Sequence, residues 1–284
     1  MIEIDAHFDE ATNTVTYVIE DVATKEAALI DPVLDYEPHR ASLRTTSIDG
    51  VLEEIRDRGL TLRWVLDTHA HADHLSAADY VREQTGARMG IGAKITEVQK
   101  LFRPVFNAGD VCDRGAAFDA LFSEGDEISV GESTIRVIHT PGHTPACVTY
   151  LIEDAAFVGD TLFMPDYGTA RADFPGGDAR TLYQSIQKIL SRPPETRIFV
   201  GHDYLPATRS AVAWESTVGE QLASNIHVSD TSEDAFVAMR EARDETLAAP
   251  RLILPSLQVN IRGGALPPAE QDGHTYLKLP INRI

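Results

Sequence analysis

The segment 68–74 reads Thr-His-Ala-His-Ala-Asp-His and places His69, His71, Asp73 and His74 directly after an apolar run, 62–66, that has the character of a buried strand. Neutral imidazole and carboxylate together suit zinc, iron or manganese. A loop leaving a strand end can fold several such side chains onto one point, whereas a straight strand, with its period of two, cannot. The spacing therefore predicts a metal site.

Further donors stand just beyond later strand-like runs. Residues 134–139 alternate and lead into Thr140-Pro141-Gly142-His143-Thr144, whose Pro-Gly turn throws His143 out of the sheet edge. The run 155–159 ends at Asp160-Thr161, and 197–200 ends at Gly201-His202-Asp203. Two metals held by His69, His71 and His143 on one side and by Asp73, His74 and His202 on the other, bridged by Asp160, would suit hydrolysis. Two histidines and one carboxylate would instead make a facial triad for ferrous iron. Ligand counting leaves both open.

The elements that must position these donors can be read in outline. Strands at 14–19 and 26–30 close on Asp31-Pro32, where proline stops the ladder. Helical spacing follows at 48–58, with Thr46 and Asp49 as a capping box and Gly59 as the stop, and again at 75–85 before Gly86. Residues 93–102 read as a third helix, 118–150 as antiparallel strands with turns at Gly125-Asp126 and Gly131-Glu132, and 178–190 as a fourth helix. Helices interleaved with two groups of strands predict an α/β (α+β layered) architecture, two packed sheets covered by helices. Past residue 204 the character changes: 215–222 and 232–248 are helix-like, and 250–262 is apolar and reads as extended. We read 1–204 as the catalytic domain and 205–284 as a C-terminal extension that packs on the same domain and walls the substrate pocket.

The 284 residues suffice for a sizeable core, and their composition is that of an ordinary globule. The start, Met1 to His7, lacks a charged region followed by an apolar one, and no apolar stretch approaches membrane-span length, so a cytoplasmic protein without membrane contact is expected. A net charge of −19 argues against nucleic-acid partners, since no Lys/Arg block exists to neutralise phosphates. An anionic substrate would need local arginines, and Arg171 lies in a glycine- and proline-marked loop, 166–178. Cys112 and Cys147 are too few for a disulfide framework, and Cys147 reads as a small buried hydrophobe. A homodimer is the common prior for such domains.

His-x-His-x-Asp-His, Pro-Gly-His-Thr, Gly-Asp-Thr and Gly-His-Asp, in that order and each after a strand, resemble the metallo-β-lactamase superfamily over roughly residues 12–204. That resemblance implies a four-layer αββα sandwich. The loop Gly-Thr-Ala-Arg-Ala-Asp-Phe at 168–174, with Thr-Pro-Gly-His-Thr-x-x-Cys-Val-Thr-Tyr at 140–150 and Gly-His-Asp-Tyr at 201–204, is similar to the persulfide dioxygenases, also called sulfur dioxygenases. The resemblance implies one Fe(II) per chain on His69, His143 and Asp160, with His71, Asp73, His74 and His202 behind them or as a second metal position. It further implies oxidation of glutathione persulfide by O₂ to sulfite and glutathione. Arg171 is expected to pair with a substrate carboxylate or to hold its loop through Asp173, and Tyr204 and Arg262 to face the peptide portion of glutathione. Three features depart from the common pattern: Ala170 replaces the usual glycine before the arginine, 34–46 lengthens a connection, and 101–119 adds a loop. They resemble a longer bacterial branch of the family. The alternative is a glyoxalase-II-like thioester hydrolase with zinc or another dinuclear centre.

Overall fold

The computed structural model describes residues 1–283. Strands β1 (Ile2–Asp9), β2 (Thr14–Asp21) and β3 (Glu26–Ile30) form an antiparallel meander. Beyond Pro32 the chain makes a hairpin, β4 (Val33–Glu37) and β5 (Ser42–Arg44), then α1 (Thr46–Asp57), β6 (Thr61–Leu66), the short β7 (Leu75–Ser76), α2 (Ala78–Thr85), β8 (Arg88–Gly92), α3 (Ile95–Val105) and β9 (Ala120–Phe122). The second half holds β10 (Glu127–Val130), β11 (Ser133–His139), β12 (Val148–Ile152), β13 (Ala155–Gly159), α4 (Ala179–Leu190), β14 (Arg197–Val200), β15 (Glu215–Thr217), α5 (Val218–Ser224), α6 (Glu233–Asp244) and α7 (Ile253–Asn260).

Six strands in the order β1-β2-β3-β6-β8-β9 make one sheet, and β10-β11-β12-β13-β14-β15 make the other; β5-β4-β7 is a small third sheet. The two-residue period of each strand sorts its side chains between two cores. In β3, Ala28 and Ile30 face the second sheet, where they join Tyr17, Tyr150, Phe157 and Phe199, while Ala27 and Leu29 face helices α1 to α3. A third core, with Ile186, Ile198 and Phe236, lies between the second sheet and α4 and α6. Helix, sheet, sheet and helix are thus the four expected layers. Strands β3, β6 and β8 run parallel, as do β13 and β14. Buried on both faces, they read as nearly continuous apolar runs. No helix among the described residues is long and apolar enough to cross a membrane.

Several elements differ from the sequence reading. Residues 250–262 hold helix α7 rather than an extended segment, because an apolar run buried all round has no period to tell helix from strand. Residues 215–222 split into β15, paired with β14, and α5, so the second sheet draws a strand from beyond residue 204. Thr46 and Asp49 make no capping box; Thr45 precedes α1, and its hydroxyl donates to Asp49 at 2.7 Å. Strand β9 pairs in parallel with β8 in the first sheet, leaving only β10 to β12 as the antiparallel run. The lengthened connection 34–46 is the β4–β5 hairpin.

Candidate metal centre

All the expected donors converge on the loops that follow β6, β11, β13 and β14, packed too closely for larger residues. A Cβ on Gly142 would lie 2.3 Å from the Leu182 backbone, and one on Gly201 would lie 2.9 Å from Asp160 Oδ1. Glycine lets the turns bearing His143 and His202 close onto the site. The donor atoms of His69, His143 and Asp160 lie within 4.8 Å of one another, as do those of His71, Asp73, His74 and His202. Asp160 faces both groups. Its Oδ2 is 3.7 Å from His143 Nε2 and 4.0 Å from His69 Nε2, while its Oδ1 is 3.4 Å from His202 Nε2. His71 falls in the second group, although its ring lies between those of His69 and His74, tilted to both, with centroids 4.0 and 4.1 Å away.

The hydrogen bonds show what the site is built to hold. Among the described residues, His69 Nε2, His71 Nδ1, Asp73 Oδ2, His74 Nε2, Asp160 Oδ1 and His202 Nε2 are buried without a hydrogen-bond partner. Buried polar atoms are seldom left so, since each orphan costs about 1–3 kcal/mol. The opposite nitrogen of each ring is engaged: His69 Nδ1 with Thr68 Oγ1 at 3.0 Å, His71 Nε2 with Asp31 Oδ1 at 3.0 Å, and His74 Nδ1 and His202 Nδ1 with Thr14 Oγ1 at 3.3 Å. His143 Nδ1 donates to the Arg171 carbonyl at 2.8 Å. Rings anchored on one nitrogen and bare on the other are the arrangement of metal ligands. These residues fit a bound metal.

The charge states of His69 and His71 agree with ligation. Burial, reinforced by neighbouring imidazoles, holds His69 and His71 well below the usual histidine range, so both are neutral donors. Burial pushes Asp160 up. Burial also works against the charged forms of Asp73 and His202, but their mutual attraction and other facing charges prevail, lowering the carboxyl and raising the imidazole.

Asp73, His143 and Asp160 open onto a cavity of about 160 Å³. Phe163, Tyr167 and Tyr204 line it, and Tyr204 stacks on His202 at 5.6 Å between centroids. Arg171 lines it too, but its guanidinium is braced: Nε and Nη2 donate to Asp173 at 2.5 and 2.6 Å, and Nη1 to the Ala248 carbonyl at 2.7 Å. Arg262, expected near substrate, lies elsewhere and does not line the cavity. It ends the turn after α7 and forks onto Asp110 at 2.7 and 2.8 Å, in the added loop 101–119, because 250–262 coils instead of extending.

Two cavity arginines escaped the sequence reading. Arg240 is fully buried and bound to Asp244 at 2.6 Å, and the Arg243 guanidinium, among the described residues, reaches only His227 Nε2 at 3.4 Å. In sequence, Arg240 and Asp244 look like any surface pair four residues apart on a helix. His227 was missed for a similar reason, lying after a helix as an apparently ordinary loop histidine.

The family model for the metallo-beta-lactamase superfamily matches residues 10–202. The chain is 52% identical over 281 residues to the beta-lactamase hydrolase-like protein of Xylella fastidiosa, covering 99% of this chain and 65% of that one, so it spans about two thirds of that relative's length. It is 45% identical to glyoxylase B2 of Dictyostelium discoideum, over 100% of this chain and 97% of that one. The human mitochondrial persulfide dioxygenase ETHE1 is 33% identical over 218 residues, 76% of this chain and 74% of that one. The crystal structure of ETHE1 from Myxococcus xanthus superposes with a TM-score of 0.74 at 31% identity, covering 93% of this chain and 100% of that one. With the family model matching most of its length and a similar fold in a solved relative, the chain belongs to the metallo-β-lactamase superfamily.

Proposed function

We propose that this enzyme is a persulfide dioxygenase, oxidising glutathione persulfide with O₂ and water to glutathione and sulfite. The observation that carries the reading is the loop 168–174. Its resemblance to the persulfide dioxygenase signature is joined to a physical role, for the Arg171 carbonyl fixes His143, one member of a two-histidine, one-carboxylate set with His69 and Asp160. Ferrous iron bound there would supply the one-electron chemistry that O₂ requires. The protein's part is to bind and orient. Tyr167, Tyr204 and Phe163 shape an apolar wall that limits water, and Arg243, which has no carboxylate partner among the described residues, supplies a guanidinium for a substrate carboxylate. Arg171, committed to Asp173, holds the loop.

A dinuclear thioester hydrolase is the second reading. The bare donors of both groups and the split reach of the Asp160 oxygens favour it, and glyoxylase B2 is a similar chain. Metal content and turnover separate the two. Protein loaded anaerobically should hold one iron per chain and consume O₂ with glutathione persulfide in an oxygen electrode. Two metals per chain, with cleavage of a glutathione thioester and no O₂ uptake, would reverse the assignment.

A further inference from the structure

We infer that Asn260, at the end of α7, is a positioning residue for the metal-ligating loop 69–74. Its side-chain amide donates to the His71 carbonyl and to the His74 carbonyl, both at 2.8 Å, and accepts from the Ser76 backbone N–H at 2.8 Å. Both amide protons and the oxygen are therefore used, at a residue only 2% exposed. The two carbonyls bracket Ala72 and Asp73, so one side chain closes a ring across the stretch that carries three donors.

Nothing comparable holds this loop. Residues 69–74 lie outside every helix and strand, and among the described residues the only hydrogen bonds to their backbone are the two from Asn260. Their side chains are tied through single ring nitrogens, which set ring orientation but leave the chain path free. Asn260 is itself well seated. Leu257, Val259 and Ile261 are buried in the core under the first sheet, and Gln99 Nε2 donates to the Ile261 carbonyl at 2.9 Å. Gly264 then passes so close to the junction of β7 and α2, just beyond the loop, that a Cβ on it would lie 2.8 Å from the Ser76 carbonyl. The C-terminal extension is in this way a working part of the metal site, although it supplies none of the seven donors.

The inference concerns metal retention and stands whichever reaction the site performs. Zinc affinity, measured by competition with a chelating dye, and the visible spectrum of the cobalt(II)-substituted protein read it directly. Asn260→Ala should weaken zinc binding ~10–100-fold, the range found for groups that orient ligands, and should alter the cobalt spectrum. Asn260→Asp keeps the acceptor for Ser76 but turns an oxygen toward the carbonyls, and should do the same. Leu257→Ala, which loosens α7 without touching the loop, should lower the melting temperature and leave zinc affinity and the cobalt spectrum unchanged. Should Asn260→Ala fail to fold, Asn260→Asp and Asn260→Ser carry the same comparison. If the Asn260 variants bind zinc as tightly as Leu257→Ala and share its spectrum, Asn260 is only structural and the inference is wrong. Failure of the O₂ assay with normal zinc effects would instead count against the dioxygenase reading alone.

Discussion

His143 is placed from both ends: a Pro-Gly turn delivers it, and the Arg171 carbonyl fixes its ring. Removing a donor should therefore be felt as metal loss before anything else. His69→Ala, His143→Ala and Asp160→Ala are each expected to abolish metal retention and turnover, because a site with three protein ligands cannot spare one. His74→Ala should keep more iron if the centre is mononuclear. Metal analysis of the four purified variants decides it, and equal loss from all four argues for a coupled dinuclear centre. Cys147 behaves in the opposite way. Burial pushes its thiol up to about 12, and Sγ sits 3.3 Å from the Thr144 backbone nitrogen and 3.1 Å from Thr144 Oγ1. Iodoacetamide should leave it unlabelled in the native protein at neutral pH. Cys147→Ala should retain most turnover at a stability cost on the order of 1–2 kcal/mol, and a persulfide found on Cys147 by mass spectrometry during turnover would overturn that view.

The loop 166–178 shows how elements cooperate, since many of its bonds run to the extension. Thr169 N donates to His227 Nδ1 at 3.0 Å, Arg240 donates to the Thr169 carbonyl at 3.2 Å, and Ala172 N donates to Asp244 at 2.8 Å. Burial, helped by Arg240 and Arg243, lowers His227 to about 4. Between that value and the ordinary 6.5 the unfolded chain binds the extra proton, so stability falls as pH drops through this window. Thermal melts from pH 7.5 to 4.5 should show the decline, and His227→Gln, which keeps an acceptor, should flatten it. An unchanged slope would mean that other groups carry the acid limb. Arg171→Lys and Asp173→Asn should each cost up to about 1 kcal/mol, as expected of an accessible pair, and lower kcat; the double variant should be non-additive. Effects that simply add would show the two residues act apart. The ligand loops were legible in the sequence because chemistry concentrates rare residue types at strand ends. The contacts that hold them were not. Asn260 sits within an apolar run, His227 beyond a helix and Arg240 on what reads as a solvated face, and each acquires its role only when segments far apart in sequence meet.

At the scale of the whole molecule, a charge of −19 surrounds a cavity edged with arginines. For the anionic persulfide of the proposed reaction, long-range repulsion and short-range attraction should then compete, and salt should weaken the first more than the second. The screening length falls from ~30 Å at 0.01 M to ~8 Å at 0.15 M ionic strength. kcat/KM for glutathione persulfide should rise severalfold over that range, whereas a monotonic fall in stopped-flow or steady-state rates would show that the arginines dominate the field.

The clamp on the ligand loop also orders events during the making of the protein. A ribosome adding ~5–20 residues per second delivers the last donor, His202, some seconds before Asn260 follows in α7. In that interval the nascent chain carries every ligand but lacks the backbone hydrogen bonds that Asn260 makes to the loop 69–74. An ion captured then is expected to exchange more readily than one bound after α7 has docked. Protein refolded in iron and protein refolded in zinc should therefore differ in metal content, which metal analysis of the two preparations checks.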